Sequence, residues 1–193
     1  MFNRSRIKVV LIMLSIVSLV CAWPMAASAA GTVNHHSILL KLDGIKGESK
    51  DANKLYQDAI EINSYSFGLT VPFNVSKGSG ANTAKPEYSD IQLTKYLDTA
   101  SISLLQTAAA GKAIKSGTLY FFKNGQDKPY LTIQLSNIYV TSQEQYVEDD
   151  GDPMEETITL SALEMSFTYT LIGADGRETN QTVTIDRVKN QVK

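Results

Sequence analysis

Cysteine is almost missing from this chain: Cys21 is the only one in 193 residues. A single thiol excludes an intramolecular disulfide and any cysteine-built metal site. Histidine is nearly as scarce. His35 and His36 are the only two, side by side, and no third histidine exists to complete a metal site. With histidine confined to the N-terminal lead-in, no Ser-His-Asp grouping suggests itself among the many serines. A G-x-S-x-G elbow and a phosphate-binding glycine loop are also missing. Gly78-Ser79-Gly80 has no helix placed to follow it, so it reads as a hinge. Positive charge is not in excess: 18 Lys+Arg stand against 20 Asp+Glu, a net charge of −2. That balance leaves no electrostatic footprint for nucleic acid.

The one long apolar run is Val9–Val20, shorter than the ~20 residues of a spanning helix. It follows the positive group Arg4, Arg6 and Lys8 and precedes Ala26-Ala27-Ser28-Ala29-Ala30. This is the order of a secretory signal peptide, with Ala27 and Ala29 as the A-x-A positions. The expectation is a signal peptide over 1–29, a domain over 30–193, and no stable membrane insertion after cleavage. An uncleaved anchor is the alternative. Cleavage removes Cys21 and three cations, leaving 15 Lys+Arg against 20 Asp+Glu, a net charge of about −5. The expected location is then periplasmic or extracellular.

Hydrophobic residues make up 43% and charged residues 20%, enough apolar material for a core held by packing alone. The apolar pattern has mostly period two. Ser37–Leu42, Ala59–Thr70, Ser89–Tyr96, Gly117–Phe122, Tyr130–Val140, Glu156–Leu171 and Gln181–Ile185 read as strands. Asp43-Gly44, Asn124-Gly125 and Asp175-Gly176 punctuate them as turns. In three strands the apolar parity shifts partway. Ile60 and Ile62 give way to Tyr65, Phe67 and Leu69. Leu131, Ile133 and Leu135 give way to Ile138 and Val140. Ile158 and Leu160 give way to Leu163, Met165, Phe167 and Tyr169. Such shifts mark bulges in a curved sheet. One helix is expected over Thr99–Ala110, capped by Asp98 or Thr99, with Ile102, Leu105 and Ala109 as its apolar face and Gly111 closing it. The fold class is therefore mainly β: an antiparallel barrel or sandwich of about six to eight strands with one flanking α-helix.

Val71–Glu87 reads as the longest irregular stretch, broken by Pro72, Gly78, Gly80 and Pro86. Its apolar members, Val71, Pro72, Phe73, Val75 and Pro86, are candidate docking residues, because apolar side chains in a polar loop invite a partner. Folding back onto the chain's own barrel is the other reading of them. Glu148-Asp149-Asp150-Gly151-Asp152 lacks calcium-loop spacing and reads as a solvated hairpin loop. No cofactor and no catalytic grouping emerges.

Several segments together resemble the Hcp (haemolysin-coregulated protein) family of type VI secretion. Leu42–Asp51, with Gly47-Glu48-Ser49, is similar to that family's opening strand and turn. Glu61–Leu69, with Phe67-Gly68, resembles its second strand. Thr94-Lys95-Tyr96 and Asp98 resemble the signature leading into its helix, and Ser103–Lys112, ending in Gly111-Lys112, resembles the helix itself. The resemblance runs from Ser37 to about Ile185. It implies a structural protein that is not an enzyme. It implies self-association as a homo-hexameric ring, stacking of rings into a secretion tube, and partners among spike, sheath or effector proteins, with effectors carried in the lumen. It also implies that Val71–Glu87 is the loop that meets the next ring. The signal-like N-terminus departs from the family pattern. It raises an alternative, an exported monomeric periplasmic binding or inhibitor module reusing the fold.

Overall fold

Strand β1 (Ile38–Leu42) buries both of its faces, and the sheet is built outward from it. On one side it pairs with β2 (Ile60–Ile62) and on the other with β9 (Ile114–Phe122). β9 pairs with β10 (Pro129–Tyr146), and β10 with β11 (Glu155–Ile172). All these ladders are antiparallel. The first half of β11 then pairs with β8 (Ile91–Tyr96), and β8 pairs with β3 (Ser64–Ser66). Only Asn63 separates β3 from β2, so the hydrogen-bonded path returns to β1 and the sheet closes into a barrel. Closure removes the exposed edges that an open sheet of this size would carry. The second half of β11 carries β12 (Glu178–Asp186) and the short β13 (Gln191–Val192) as an extension. With β2–β3 counted as one bent strand and two-residue β13 set aside, the sheet has seven strands, within the range expected from sequence.

The computed structural model describes residues 37–76, 80–83, 85–147, 149–173 and 175–193, which belong to one compact unit. Ala27, Ala29, Cys21, His35, His36, Gly78, Ser79 and Glu148 lie outside the described residues. No helix among the described residues is long and apolar enough to cross a membrane.

The barrel interior is aliphatic. Leu40, Ile60, Ile91, Leu93, Leu119, Ile133, Ile138, Ile158 and Leu160 pack in one cluster, fully sealed from solvent. Each such side chain contributes about 1.5–3 kcal/mol on burial. The outward-facing Leu39 and Phe122 are covered by the segment between β1 and β2, where Tyr56 meets Tyr120 and Phe122 edge-on at 5.1 and 5.0 Å. In the barrel core Gly117 makes room for its neighbours: a Cβ there would stand 2.6 Å from Leu42 Cδ2 and 2.9 Å from Ile138 Cδ1.

The expected parity shifts are present, with one correction. β2 and β3 break at Asn63. In β10 the buried side changes from Ile133 and Leu135 to Ile138 and Val140 across Asn137, which takes φ 52°. Asparagine tolerates that left-handed conformation. Opposite it, β11 changes side as well, but Leu163 does not turn inward as its spacing suggests. Ala162 is buried and Leu163 is exposed, and the new inward parity starts at Met165. The two strands bend together, so Ile138 keeps Ala162 as its partner.

The helix α1 spans Thr99–Ala109. Asp98 caps it: its carboxylate accepts from the backbone N–H of Ala100 and Ser101, and the Ser101 side chain returns a bond to the Asp98 N–H. Gly111, at φ 60°, ends it in a Schellman turn, with Lys112 N–H donating to Thr107 O and Gly111 N–H to Ala108 O. The face chosen from sequence is the wrong one. Ala100, Ser101 and Leu104 are buried, whereas Ile102 is 66% and Leu105 48% exposed, and Ala109 is exposed too.

Candidate functional site

The stretch Val71–Glu87 is not irregular. It forms a two-stranded arm in two segments. At the root β4 (Leu69–Thr70) pairs with β7 (Glu87–Tyr88), and further out β5 (Phe73–Ser76) pairs with β6 (Gly80–Thr83). Neither ribbon joins the barrel sheet. Between the two ladders the chain runs two residues, Val71 and Pro72, on one side and three, Pro86 among them, on the other. Proline offers no N–H to a ladder, so pairing lapses there. A ribbon without a core face needs no alternation, which is why the segment reads as loop.

The root is held by a reciprocal pair: Ser89 N–H donates to Gly68 O at 2.9 Å, and Gly68 N–H donates to Ser89 Oγ at 2.7 Å. Along the arm Leu69, Val71 and Phe73 share one parity and are all exposed, Phe73 by 61%. Pro72 and Pro86 are half-buried. Val75 lies on β5, and its side chain is outside those described. Phe67 packs against Phe167 at 5.3 Å, tying the approach to the arm to β11.

The family-motif residues gather at the opposite end of β8, about 20 Å away for six extended residues. Lys95 shares the inward face with Ile91 and Leu93, and Glu156 shares it with Ile158 and Leu160. The two are directly opposed in the β8–β11 ladder and have no solvent exposure. Lys95 Nζ donates to Glu156 Oε1 at 2.9 Å, Asp98 Oδ1 at 2.7 Å, Ser101 Oγ at 3.0 Å and Tyr96 O at 2.7 Å. Ser101 Oγ donates to Glu156 Oε1 at 2.7 Å, while Gln143 Nε2 and Gln145 Nε2 donate to its Oε2 at 2.8 and 3.2 Å. Burial pushes the Glu156 carboxyl upward, but the bonds from Lys95, Gln143, Ser101 and Gln145 outweigh it and hold the group below its usual range. The network explains the T-K-x-x-D pattern: the lysine locks the helix cap onto the barrel.

Gly47-Glu48-Ser49 completes this end, not as the turn expected from sequence but as an extended segment alongside Asp58 and Ala59. Gly47 N–H donates to Asp58 O, Ser49 N–H to Ala59 O, and Asp58 N–H to Ser49 O. At Gly47 a Cβ would collide with the Ala59 carbonyl and stand 2.6 Å from Ile60 Cα, so only glycine fits. Glu48 Oε1 accepts from the Thr99 N–H at 3.0 Å, a second carboxylate at the helix N-terminus. Thr94 Oγ1 and Ser64 Oγ share a 2.6 Å hydrogen bond beside it. A cleft of about 180 Å³ opens here, lined by Glu48, Glu61, Asn63, Tyr96, Leu97 and Asp98. Exposed Met154 stands next to Leu97, whose N–H donates to Met154 O. Among the described residues no group of three metal-ligating side chains exists. The acidic segment after β10 is the loop of the β10–β11 hairpin.

The sequence reading therefore found two groups of residues without finding what links them. Gly47, Glu48, Ser49, Thr94, Lys95, Tyr96 and Asp98 come together, Phe67 and Gly68 sit at the arm's root, and Gly111 and Lys112 only finish the helix. Ser101, Gln143, Gln145 and Glu156 were missed. Glu156 carries a legible signal, a carboxylate on the apolar parity of a strand, which calls for a buried cation.

The family model described as "Type VI secretion system effector, Hcp" matches residues 39–169. A relative, Protein hcp1 of Pseudomonas aeruginosa, is 28% identical over 141 residues, covering 72% of this chain and 86% of its own. The crystal structure of Hcp1 from Salmonella typhimurium is similar with a TM-score of 0.66 at 26% identity, covering 81% of this chain and 97% of that one. A solved "type six secretion system protein" shares the fold with a TM-score of 0.74 at 22% identity, covering 82% of this chain and 100% of its own. A closed barrel with a capped helix, an arm at one end and the T-K-x-x-D network at the other, together with these matches, establish that the chain belongs to the Hcp family and is a structural tube protein of type VI secretion.

Proposed function

We propose that copies of this chain close into a homo-hexameric ring and that the arm of each subunit holds its ring to the next. The single observation that supports this is the placement of two unlike surfaces at opposite ends of β8. The exposed Leu69, Val71 and Phe73 lie on the arm, and the cleft bearing Tyr96, Leu97 and acidic side chains lies at the far end. Unlike surfaces at opposite ends produce head-to-tail contacts, which propagate as a stack. In sequence the stretch 71–87 holds two lysines, at positions 77 and 85, against Glu87 alone, a charge sign that suits an acidic acceptor. Effectors ride in the lumen, and spike and sheath proteins are the other partners. The N-terminal segment directs export, with cleavage after Ala29, so that assembly takes place in the periplasm or beyond.

The test uses the exported chain. N-terminal sequencing of the periplasmic product reads the cleavage position, and mass measurement with negative-stain imaging reads assembly. Rings and short tubes are the expected result. Removing residues 73–84 should leave rings and abolish tubes; tubes that survive the deletion overturn the arm's role. A monomer at high concentration would replace this reading with that of a periplasmic binding or inhibitor module.

A further inference from the structure

β11 changes neighbours along its length. It pairs with β8 up to Leu160, opposite Ile91, and with β12 from Glu164, opposite Asp186. Between those points the sheet forks, and Arg187 stands in the fork. Its backbone N–H extends the β11–β12 ladder by donating to Leu163 O at 2.9 Å. Its guanidinium reaches the other branch. Nη1 donates to Asp90 Oδ1 at 2.9 Å, Ser161 Oγ at 3.2 Å and Ala162 O at 3.5 Å, and Nη2 donates to Tyr88 O at 3.4 Å. Tyr88 ends the returning strand of the arm, and Asp90 immediately precedes β8.

We infer that Arg187 is a positioning residue that sets the direction in which the arm leaves the barrel. The arm's outgoing and returning strands meet at Gly68 and Ser89, which exchange two hydrogen bonds. Phe67 and Tyr88 rest on the barrel core without directional bonds, and Arg187, from the end of β12, adds the directional tether to the returning strand. A lysine keeps the charge but has no planar fork to span Asp90 and Tyr88 O together. The Arg187–Asp90 pair is partly exposed, so its effect on global stability is small. Its effect is on geometry. A long arm amplifies a small change of angle at the root, and docking on a neighbouring ring tolerates little displacement. The consequence for stacking rests on the reading of the arm as the ring-to-ring contact; the positioning itself does not.

The experiment compares the exported wild-type chain with R187K and D90N. Spin labels on Ser76→Cys and Lys115→Cys, in chains diluted with unlabelled protein, report the arm-to-barrel distance distribution. Imaging reports tubes, and thermal melting reports stability. Both variants should keep ring mass and melt within about 5 °C of wild type. They should broaden the distance distribution about twofold and lower tube yield about tenfold, the size of one lost charge-assisted hydrogen bond. An unchanged distribution in R187K and D90N overturns the inference. So does broadening that occurs only alongside loss of rings and a large drop in melting temperature. If the 73–84 deletion still forms tubes while R187K broadens the distribution, the positioning stands and the stacking role of the arm falls. If the deletion abolishes tubes and R187K matches wild type, the reverse holds.

Discussion

Lys95 and Glu156 meet at 2.9 Å inside the barrel wall, 61 positions apart in sequence and both without solvent exposure. The pair is costly to desolvate, and it persists because each spare donor and acceptor is used by Asp98, Ser101, Gln143 or Gln145. Removing one partner strands the other. K95M is expected to cost about 3–5 kcal/mol in urea unfolding, whereas K95M/E156L should recover most of that loss. A double variant no more stable than K95M would show that the ion pair itself, not its desolvation, holds the cap.

Acid should weaken the same region. The folded pKa of Glu156 lies below its ordinary value of 4.5, so its contribution is fully present above pH 4.5 and is lost as pH falls through the lower, folded value. Unfolding free energy measured from neutral pH downward should fall through that window. The slope should be smaller in E156Q, which starts less stable but has no carboxylate to protonate.

Two motif glycines should respond unequally to alanine. At Gly47 the new methyl group has no room beside the Ala59 carbonyl and Ile60 Cα, and the extended segment that carries Glu48 to Thr99 must shift; a loss of about 1–3 kcal/mol is expected. At Gly68 the nearest atom to a new Cβ is Ser89 Oγ at 3.6 Å, ordinary contact, and the change should stay within about 0.5 kcal/mol. Chemical denaturation of both variants decides this.

Tyr65 should titrate late. Burial raises its phenol from 10.0 to about 12, and its ring packs edge-on against Phe121 at 5.0 Å. A phenol whose folded pKa is raised stabilises the fold fully below pH 10 and loses that contribution as pH rises toward 12. Burial also raises the Tyr56 phenol, so phenolate absorbance should show late-ionising groups of which Y65F lacks one, and Y65F should unfold at a more alkaline pH than the wild type.

The helix offers the sharpest contrast between pattern and packing. Ile102→Ser should be nearly neutral for stability, because that side chain already faces water, while Leu104→Ala should cost about 2–5 kcal/mol. Thermal melts of the two variants check the assignment. The sequence located the helix and both of its caps, because Asp98 and Gly111 carry local chemistry. It misjudged the buried face because both faces carry apolar residues, and the one that wins holds a serine. Ser101 is buried only because Lys95 and Glu156 reach it, and those partners come from other strands.

The strands were legible for the opposite reason. Ile60 and Ile62, or Ile158 and Leu160, meet one core through simple alternation, and the breaks at Asn63 and Asn137 show in the pattern itself. Where no core is near, the signal disappears. The arm has no buried face to impose a period, so its pairing stayed hidden under glycine, serine and proline. Arg187 was invisible too, since nothing in its neighbourhood in the chain announces that Tyr88 and Asp90 lie beside it.

The closing seam of the barrel has a consequence in time. It joins Ile91–Tyr96 to Glu155–Leu160, so a nascent chain holds no closed barrel until Leu160 has been made. At roughly 5–20 residues per second, translation takes on the order of 10 s to reach that point. Throughout that interval Ile91–Tyr96 is without its seam partner, so closing of the barrel is a late event in the life of the chain.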